Sequence, residues 1–112
     1  MSDDPLVRDL HDAVVRGPGV TDPALRAQIF ARGAGAAESE GEGGTPLAPL
    51  VARYVDRVRE QAHRVDDAEL AALRAAGHGD DAIFEITVAA ALGAGLSRLG
   101  RVRALLRPEG TP

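Results

Sequence analysis

Cysteine is absent from this 112-residue chain, and aromatic residues make up only 3% of it. Without cysteine the chain has no disulfide, no thiolate nucleophile and no thiolate metal ligand of its own. Because aromatic residues are few, the apolar core is expected to consist mainly of alanine, leucine and valine side chains. The length corresponds to one domain, and a domain this small gains from association because it buries a limited share of its surface.

An excess of basic charge is also missing. The chain carries 13 basic and 17 acidic residues, a formal net charge of −4, so it lacks the basic surface typical of nucleic-acid-binding proteins. The first residues do not form a basic and then apolar leader, and the longest apolar stretch, residues 82–100, contains Glu85 and Arg98. We therefore expect a cytoplasmic protein that binds neither nucleic acid nor a membrane.

Signals for helix starts and ends recur along the chain, and no segment has the alternating pattern of a β-strand. The signals are a capping aspartate with a following proline at Asp4-Pro5 and Asp22-Pro23, a capping-box spacing at Asp66 and Glu69, a left-handed cap at Gly77, and an acidic cap at Asp80 or Asp81. The last predicted helix runs to about Leu106. The sequence thus predicts an all-α fold with four to five helices.

The composition divides the chain into four segments. Residues 1–33 are predicted to form an N-terminal helical pair, and residues 47–107 a longer helical core. Between them, residues 34–46 consist mainly of glycine, glutamate and alanine without a large apolar side chain, which predicts a flexible linker. Residues 108–112 are expected to form a disordered tail.

The last predicted helix carries small residues along one face. Ala89, Gly93 and Ser97 follow each other at steps of four residues and therefore share a face. A glycine inside a helix costs about 1 kcal/mol relative to alanine, and the close approach of a second helix explains such a position. Two interpretations stay open, namely packing within the chain and an interface between subunits.

Glu85 is the most informative charged residue, because it lies in an apolar stretch one turn into the last helix. Burial would raise the pKa of Glu85, whereas a cationic partner such as Arg26, His63 or Arg64 would lower it. Arg98 lies thirteen residues further along, roughly 20 Å at 1.5 Å per residue, and cannot reach Glu85 within a straight helix. A structural carboxylate that complements the helix dipole is the other interpretation of Glu85.

The histidines show no metal-binding pattern. No two of His11, His63 and His78 have the spacing of a helical metal site. The sequence also contains no Ser-His-Asp arrangement and no phosphate-binding glycine loop, since its glycine-rich stretch is acidic. We therefore predict neither a metal nor a cofactor. For His63, a structural hydrogen bond at the end of the preceding helix is the alternative to a catalytic role.

The second half of the chain resembles the C-terminal part of proteins in the carboxymuconolactone decarboxylase and AhpD-like superfamily. The resemblance covers residues 54–106, about half of the chain. It is carried by Val65-Asp66-Asp67-Ala68-Glu69, Leu73-Arg74-Ala75-Ala76-Gly77-His78, Asp81-Ala82-Ile83-Phe84-Glu85-Ile86, Gly93-Ala94-Gly95 and Arg98-Leu99. The resemblance implies an AhpD-like helical domain whose subunits assemble through helices into trimers, hexamers or related rings.

The redox chemistry of this superfamily is not implied. Redox members use a glutamate, a C-x-x-C pair and a following histidine. If Glu85 is placed on the motif glutamate, Ser97 and Gly100 fall on the two cysteine positions. Because neither residue can form or reduce a disulfide, thiol peroxidase and disulfide reductase activities of the chain's own are excluded.

The first functional hypothesis is a non-redox, non-catalytic oligomeric protein of this superfamily that acts as an accessory or binding module. Ala89, Gly93 and Ser97 would then lie at the interface of a homo-oligomer. The alternative is a cofactor-independent decarboxylase or isomerase that acts on a small carboxylate or lactone at a subunit interface. Its site residues would be the acid or base Glu85, its partner His63 and the carboxylate clamp Arg98. A third possibility is that residues 1–45, the N-terminal helices and the linker, dock onto a larger protein partner.

Overall fold

The computed structural model describes residues 4–35 and 46–107. These residues form five α-helices and one short 3-10 turn without any strand, which confirms the all-α prediction. The elements are α1 (Pro5–Arg16), α2 (Pro23–Gly33), α3 (Pro49–Gln61), the 3-10 turn (Ala62–Arg64), α4 (Asp67–Ala75) and α5 (Asp80–Leu106). Residues 36–45 of the predicted linker and the predicted tail 108–112 lie outside the described residues.

Aspartate caps set the start of the first two helices. The side chain of Asp4 accepts a hydrogen bond from the N–H of Leu6 at 2.9 Å, and that of Asp22 accepts one from Ala24, also at 2.9 Å. Each cap satisfies an N–H group that has no partner inside the helix. Gly77, with φ of 103°, follows α4 in the left-handed conformation. These boundaries are confirmed.

The starts of α4 and α5 differ from each other. Asp66 and Glu69 form the predicted capping box: the N–H of Glu69 donates to Asp66 at 3.0 Å, and the N–H of Asp66 donates to Glu69 at 3.2 Å. In α5 the cap is Gly79, and Asp80 and Asp81 occupy the first turn. The prediction of an acidic cap was therefore wrong by a residue, because two carboxylates in the first turn complement the helix dipole without capping it.

The core lies where α2 packs along the first half of α5. The largest fully buried side chains come one from each of the last four helices: Ile29, Val55, Leu73 and Ile86. α2 contacts α5 more extensively than any other pair of helices does. The predicted N-terminal helical pair therefore does not stand apart from the predicted core but packs into it.

α5 is the longest helix, with 27 residues. Its most apolar 18-residue window has a mean hydropathy of 1.5, so its length and composition would suffice to cross a membrane. The central helix of a folded core meets the same criteria, and the first half of α5 is such a helix here. The segment from Leu99 onward is exposed along its whole length, because α5 extends beyond the helices that pack against its first half.

Candidate functional site

Glu85 fastens the loop between α1 and α2 to α5. Its carboxylate accepts hydrogen bonds from the backbone N–H of Val20 at 2.8 Å, from the backbone N–H of Thr21 at 2.9 Å and from the Thr21 hydroxyl at 2.5 Å. A glycine precedes these donors, and a Cβ atom at Gly19 would lie 2.7 Å from a carboxylate oxygen. Gly19 therefore leaves the space that the carboxylate occupies.

These hydrogen bonds keep Glu85 ionised. The pKa of Glu85 is lowered from its ordinary value, chiefly by the hydrogen bond from the Thr21 hydroxyl and then by that from the Val20 N–H; burial opposes the shift. Arg26 adds a smaller electrostatic contribution in the same direction. A general acid or base works best when its pKa lies near the operating pH. The environment of Glu85 moves its pKa away from that range and suits a structural carboxylate.

Arg26 holds the same loop from inside the protein. The side chain is only 3% exposed, and its guanidinium donates to the backbone carbonyl of Val14 at 2.9 Å and to that of Thr21 at 3.2 Å. Of the three cations considered as partners of Glu85, Arg26 is the one whose charge lowers the pKa of the carboxyl. Glu85 thus binds N–H groups of the α1–α2 loop, and Arg26 binds one carbonyl of this loop and one of the preceding end of α1.

The other two candidate catalytic residues lie elsewhere. His63 is exposed in the 3-10 turn after α3. Arg98 is exposed on α5 and donates to the backbone carbonyl of Arg59 on α3. Thirteen helical residues, roughly 20 Å, separate Arg98 from Glu85 along α5. A single chain therefore does not bring Glu85 and Arg98 into one site, and the enzyme hypothesis requires a second subunit to complete it.

The face of small residues on α5 packs against α2 of the same chain. A Cβ atom at Gly93 would lie 2.2 Å from the carbonyl oxygen of Phe30 and 3.0 Å from the backbone nitrogen of Ala34. Ala89 is fully buried. Only Ser97, at the end of this face, is partly exposed. The geometry thus matches the packing interpretation at Ala89 and Gly93.

Two cavities flank the contact between the end of α2 and α5. The apolar cavity, about 420 Å³, lies between α1, α2 and α5, and its lining includes Val7, Phe30 and Leu96. The cationic cleft, about 260 Å³, lies between the end of α2, α3 and α5, and is lined by three arginines and one glutamate: Arg59, Arg98, Arg101 and Glu60. Ala34 and Ser97 line both spaces. The cavities are therefore neighbours that share one wall.

His11 forms part of the apolar cavity. Its ring packs edge-on against Phe30, with 4.7 Å between the ring centroids, and its Nδ1 lies 3.0 Å from a carboxylate oxygen of Asp12. This hydrogen bond is the main reason why the pKa of Asp12 is lowered. His11 is half-buried in this position, with its ring beside Phe30.

A second apolar stripe of α5 is not covered by the other helices. Its members are spaced alternately by four and three residues, and we call them the α5 seam: Val88, Leu92, Gly95, Leu99, Val102 and Leu106. The first two are half-buried, and the other four are exposed. Sequence reasoning missed this stripe, although the seven-residue repeat is visible in the sequence and is typical of helices that pair along a seam.

Within residues 4–35 and 46–107, no group of three or more histidine, aspartate or glutamate side chains is placed to hold a metal ion. No protein-family model, curated protein or solved structure matches the chain. The resemblance to the carboxymuconolactone decarboxylase and AhpD-like superfamily therefore stays a prediction. The function has to be argued from the geometry of this chain.

Proposed function

We propose that the chain is a non-redox, non-catalytic helical module that assembles with a second copy of itself through the α5 seam. The observation that carries the proposal is the seven-residue repeat on the uncovered face of α5. The membership in the carboxymuconolactone decarboxylase and AhpD-like superfamily that the sequence suggests belongs to the same proposal, since that resemblance implies subunits joined through helices.

The seam has the periodicity and length of a helix-pairing surface. From Val88 to Leu106 it comprises nineteen residues, about 27 Å of helix. Such a repeat keeps the apolar residues on the side that faces a partner helix. α1 lies against this half of α5, as the 3.8 Å contact between Asp4 and Arg103 shows.

Gly95 supports a partner outside the chain. A glycine in a helix interior is unfavourable by about 0.5–1 kcal/mol relative to alanine. At Gly93 the close approach of α2 explains the glycine, but no atom lies within 4 Å of the position of a Cβ atom at Gly95. A second helix that crosses α5 at Gly95 would account for this residue, because small residues let two helix backbones come close.

The charges beside the seam favour a second copy over an unrelated partner. A twofold interface brings identical surfaces together. An arginine beside the seam that had no partner in its own chain would therefore face the positive charge of the second copy. Two arginines flank the seam, and both are turned to partners in their own chain. Arg103 lies 3.8 Å from the carboxylate of Asp4, and Arg98 donates to a carbonyl of α3. The seam can therefore meet its own copy with reduced repulsion.

Light scattering on the full chain tests this proposal. We expect a mass of twice 11.6 kDa for the wild type and 11.6 kDa for the double variant Leu99→Asp/Val102→Asp. The two side chains are 40% and 50% exposed, so the substitutions place charge on the seam without entering the core. Ala104→Asp, an exposed position on the opposite side of the same helix, is the matched control and is expected to keep the wild-type mass.

Circular dichroism of each variant shows whether the helices are retained. A wild-type chain that is monomeric at all concentrations contradicts the proposal. So does a folded double variant that keeps the wild-type mass, since its seam would then not be the contact.

A further inference from the structure

The shared wall between the apolar cavity and the cationic cleft is made of small side chains. Ala34 contributes a methyl group and Ser97 a hydroxymethyl group to both spaces. Because neither side chain is large, these two residues separate the apolar cavity from the cationic cleft by only a few atoms. An apolar space and a positively charged space therefore adjoin on α5, and neither is lined by a residue of the α5 seam.

The apolar cavity has the size and lining of a small-molecule site. Its volume of about 420 Å³ falls within the range of about 300–1,000 Å³ that such sites have. Its lining is mostly apolar, with Val7 on α1, Phe30 on α2 and Leu96 on α5, while Arg8, His11 and Ser97 are its polar members. An unsatisfied polar group is unfavourable against the apolar part. The body of a ligand in this cavity is therefore apolar.

The cationic cleft supplies the group that would orient such a ligand. Glu60 accepts a hydrogen bond from the guanidinium of Arg59 at 2.8 Å, which compensates one of the three arginines. Arg98 is held toward α3 by its bond to the Arg59 carbonyl, and Arg101 follows one turn later on α5. A guanidinium group binds a carboxylate through two parallel hydrogen bonds. The excess positive charge in the cleft thus selects an anion.

We propose that the chain binds a small amphipathic carboxylic acid across this wall. Its apolar chain occupies the apolar cavity, and its carboxylate lies between Arg98 and Arg101 in the cationic cleft. The small side chains of Ala34 and Ser97 let the ligand pass from one space to the other. The site contains no residue of the α5 seam, although Arg98 lies beside both, and the variants that test the two proposals change different residues, so either proposal can fail without the other.

Isothermal titration calorimetry of the full chain with decanoate tests the proposal. Decanoate, a straight ten-carbon acid, supplies both parts of the ligand, whereas decanol lacks the charge and inorganic phosphate lacks the apolar chain. We expect decanoate to bind, and decanol to bind at least tenfold more weakly because it loses the charge-assisted hydrogen bonds. Each methylene group removed from the acid is expected to weaken binding by up to about fourfold.

Two variants separate the two halves of the site. Arg101→Gln removes a charge from the cleft and is expected to weaken decanoate binding about tenfold or more, while Arg53→Gln, on the exposed side of α3, leaves it unchanged. Val7→Trp fills the apolar cavity from α1 and is expected to abolish binding. Val20→Trp, at an exposed position in the α1–α2 loop, is its control.

Amide chemical shifts of the wild-type chain provide a readout that depends on no variant. During a decanoate titration we expect the largest shifts at Ala34 and Ser97, where the two spaces meet. Absence of decanoate binding overturns the proposal, and so does binding of decanol or phosphate as tight as that of decanoate. The assigned position of the carboxylate is overturned if Arg101→Gln binds decanoate as tightly as the wild type does. It is also overturned if Arg53→Gln weakens decanoate binding as much as Arg101→Gln does.

Discussion

Glu85 illustrates how one side chain can join segments that are far apart in sequence. It lies 64 residues after Thr21, and three donors from the α1–α2 loop converge on its carboxylate. A hydrogen bond to a charged group contributes at most about 1.5–3 kcal/mol, and exposure to solvent at Glu85 reduces this contribution. The loop and α5 therefore depend on the ionised form of Glu85.

This dependence predicts a pH effect of known sign. The pKa of Glu85 is lower in the folded chain than its ordinary value of 4.5, so its stabilisation is fully present above pH 4.5 and is lost as the pH falls further toward the folded-state pKa. We expect Glu85→Gln to lower the free energy of unfolding by about 1–3 kcal/mol at pH 7. The difference from wild type should shrink between pH 5 and pH 3.

Urea unfolding at several pH values measures this difference. Glu60→Gln, which removes a carboxylate from an exposed position on α3, serves as the control for a change in net charge. The difference in free energy of unfolding between wild type and Glu85→Gln could instead stay constant from pH 7 to pH 3. That result would show that the hydrogen bonds do not depend on the charge of Glu85.

Among the helices, the packing of α5 on α2 depends on backbone approach at Gly93. A Cβ atom at this position would lie 2.2 Å from the Phe30 carbonyl oxygen, which belongs to the backbone of α2 and cannot rotate away. We expect Gly93→Ala to lower the free energy of unfolding by roughly 1–3 kcal/mol, the usual range for overpacking in a core. Thermal or urea unfolding followed by circular dichroism measures it.

Gly100 provides the matched control on the same helix. No atom lies within 4 Å of a Cβ atom placed there, so Gly100→Ala is expected to raise the free energy of unfolding by about 0.5–1 kcal/mol through the better helix propensity of alanine. If Gly93→Ala raised the free energy of unfolding as much as Gly100→Ala does, helix propensity would determine the effect at Gly93, and the close approach of α2 would not.

The helices themselves could be predicted from the sequence because their start and stop signals are local. Asp4, Asp22 and the capping box at Asp66 act on N–H groups two or three residues away, which the sequence places directly. The partners of Glu85 could not be predicted in this way, since Val20 and Thr21 become neighbours only after α1, α2 and α5 have packed. The same holds for the shared wall at Ser97, which depends on where α2 ends against α5.

At the scale of the whole molecule, the second half of α5 is incompletely supported by its own chain. A helix of 27 residues spans about 40 Å, whereas α2, its main neighbour, has only 11 residues. Most of the stability of a helix in a protein comes from the packing of an apolar face. Side chains such as Leu106, which is 76% exposed, contribute little to such packing in the single chain.

Self-association therefore predicts that the thermal stability of the chain depends on its concentration. A partner that binds only the folded state raises the melting temperature by mass action, and a tenfold change in concentration corresponds to about 1.4 kcal/mol per mole of dimer. We expect the melting temperature of the wild type to rise by a few degrees per tenfold increase in concentration, measured by circular dichroism over about a hundredfold range.

The variants of the α5 seam distinguish this effect from aggregation during heating. Leu99→Asp/Val102→Asp is expected to melt at a lower temperature that does not change with concentration, because the free chain has no partner to lose. Ala104→Asp keeps the seam and should retain the concentration dependence of the wild type. If the double variant and the wild type showed the same dependence, the partner of α5 would have to bind away from Leu99 and Val102, and the seam would lose its proposed role.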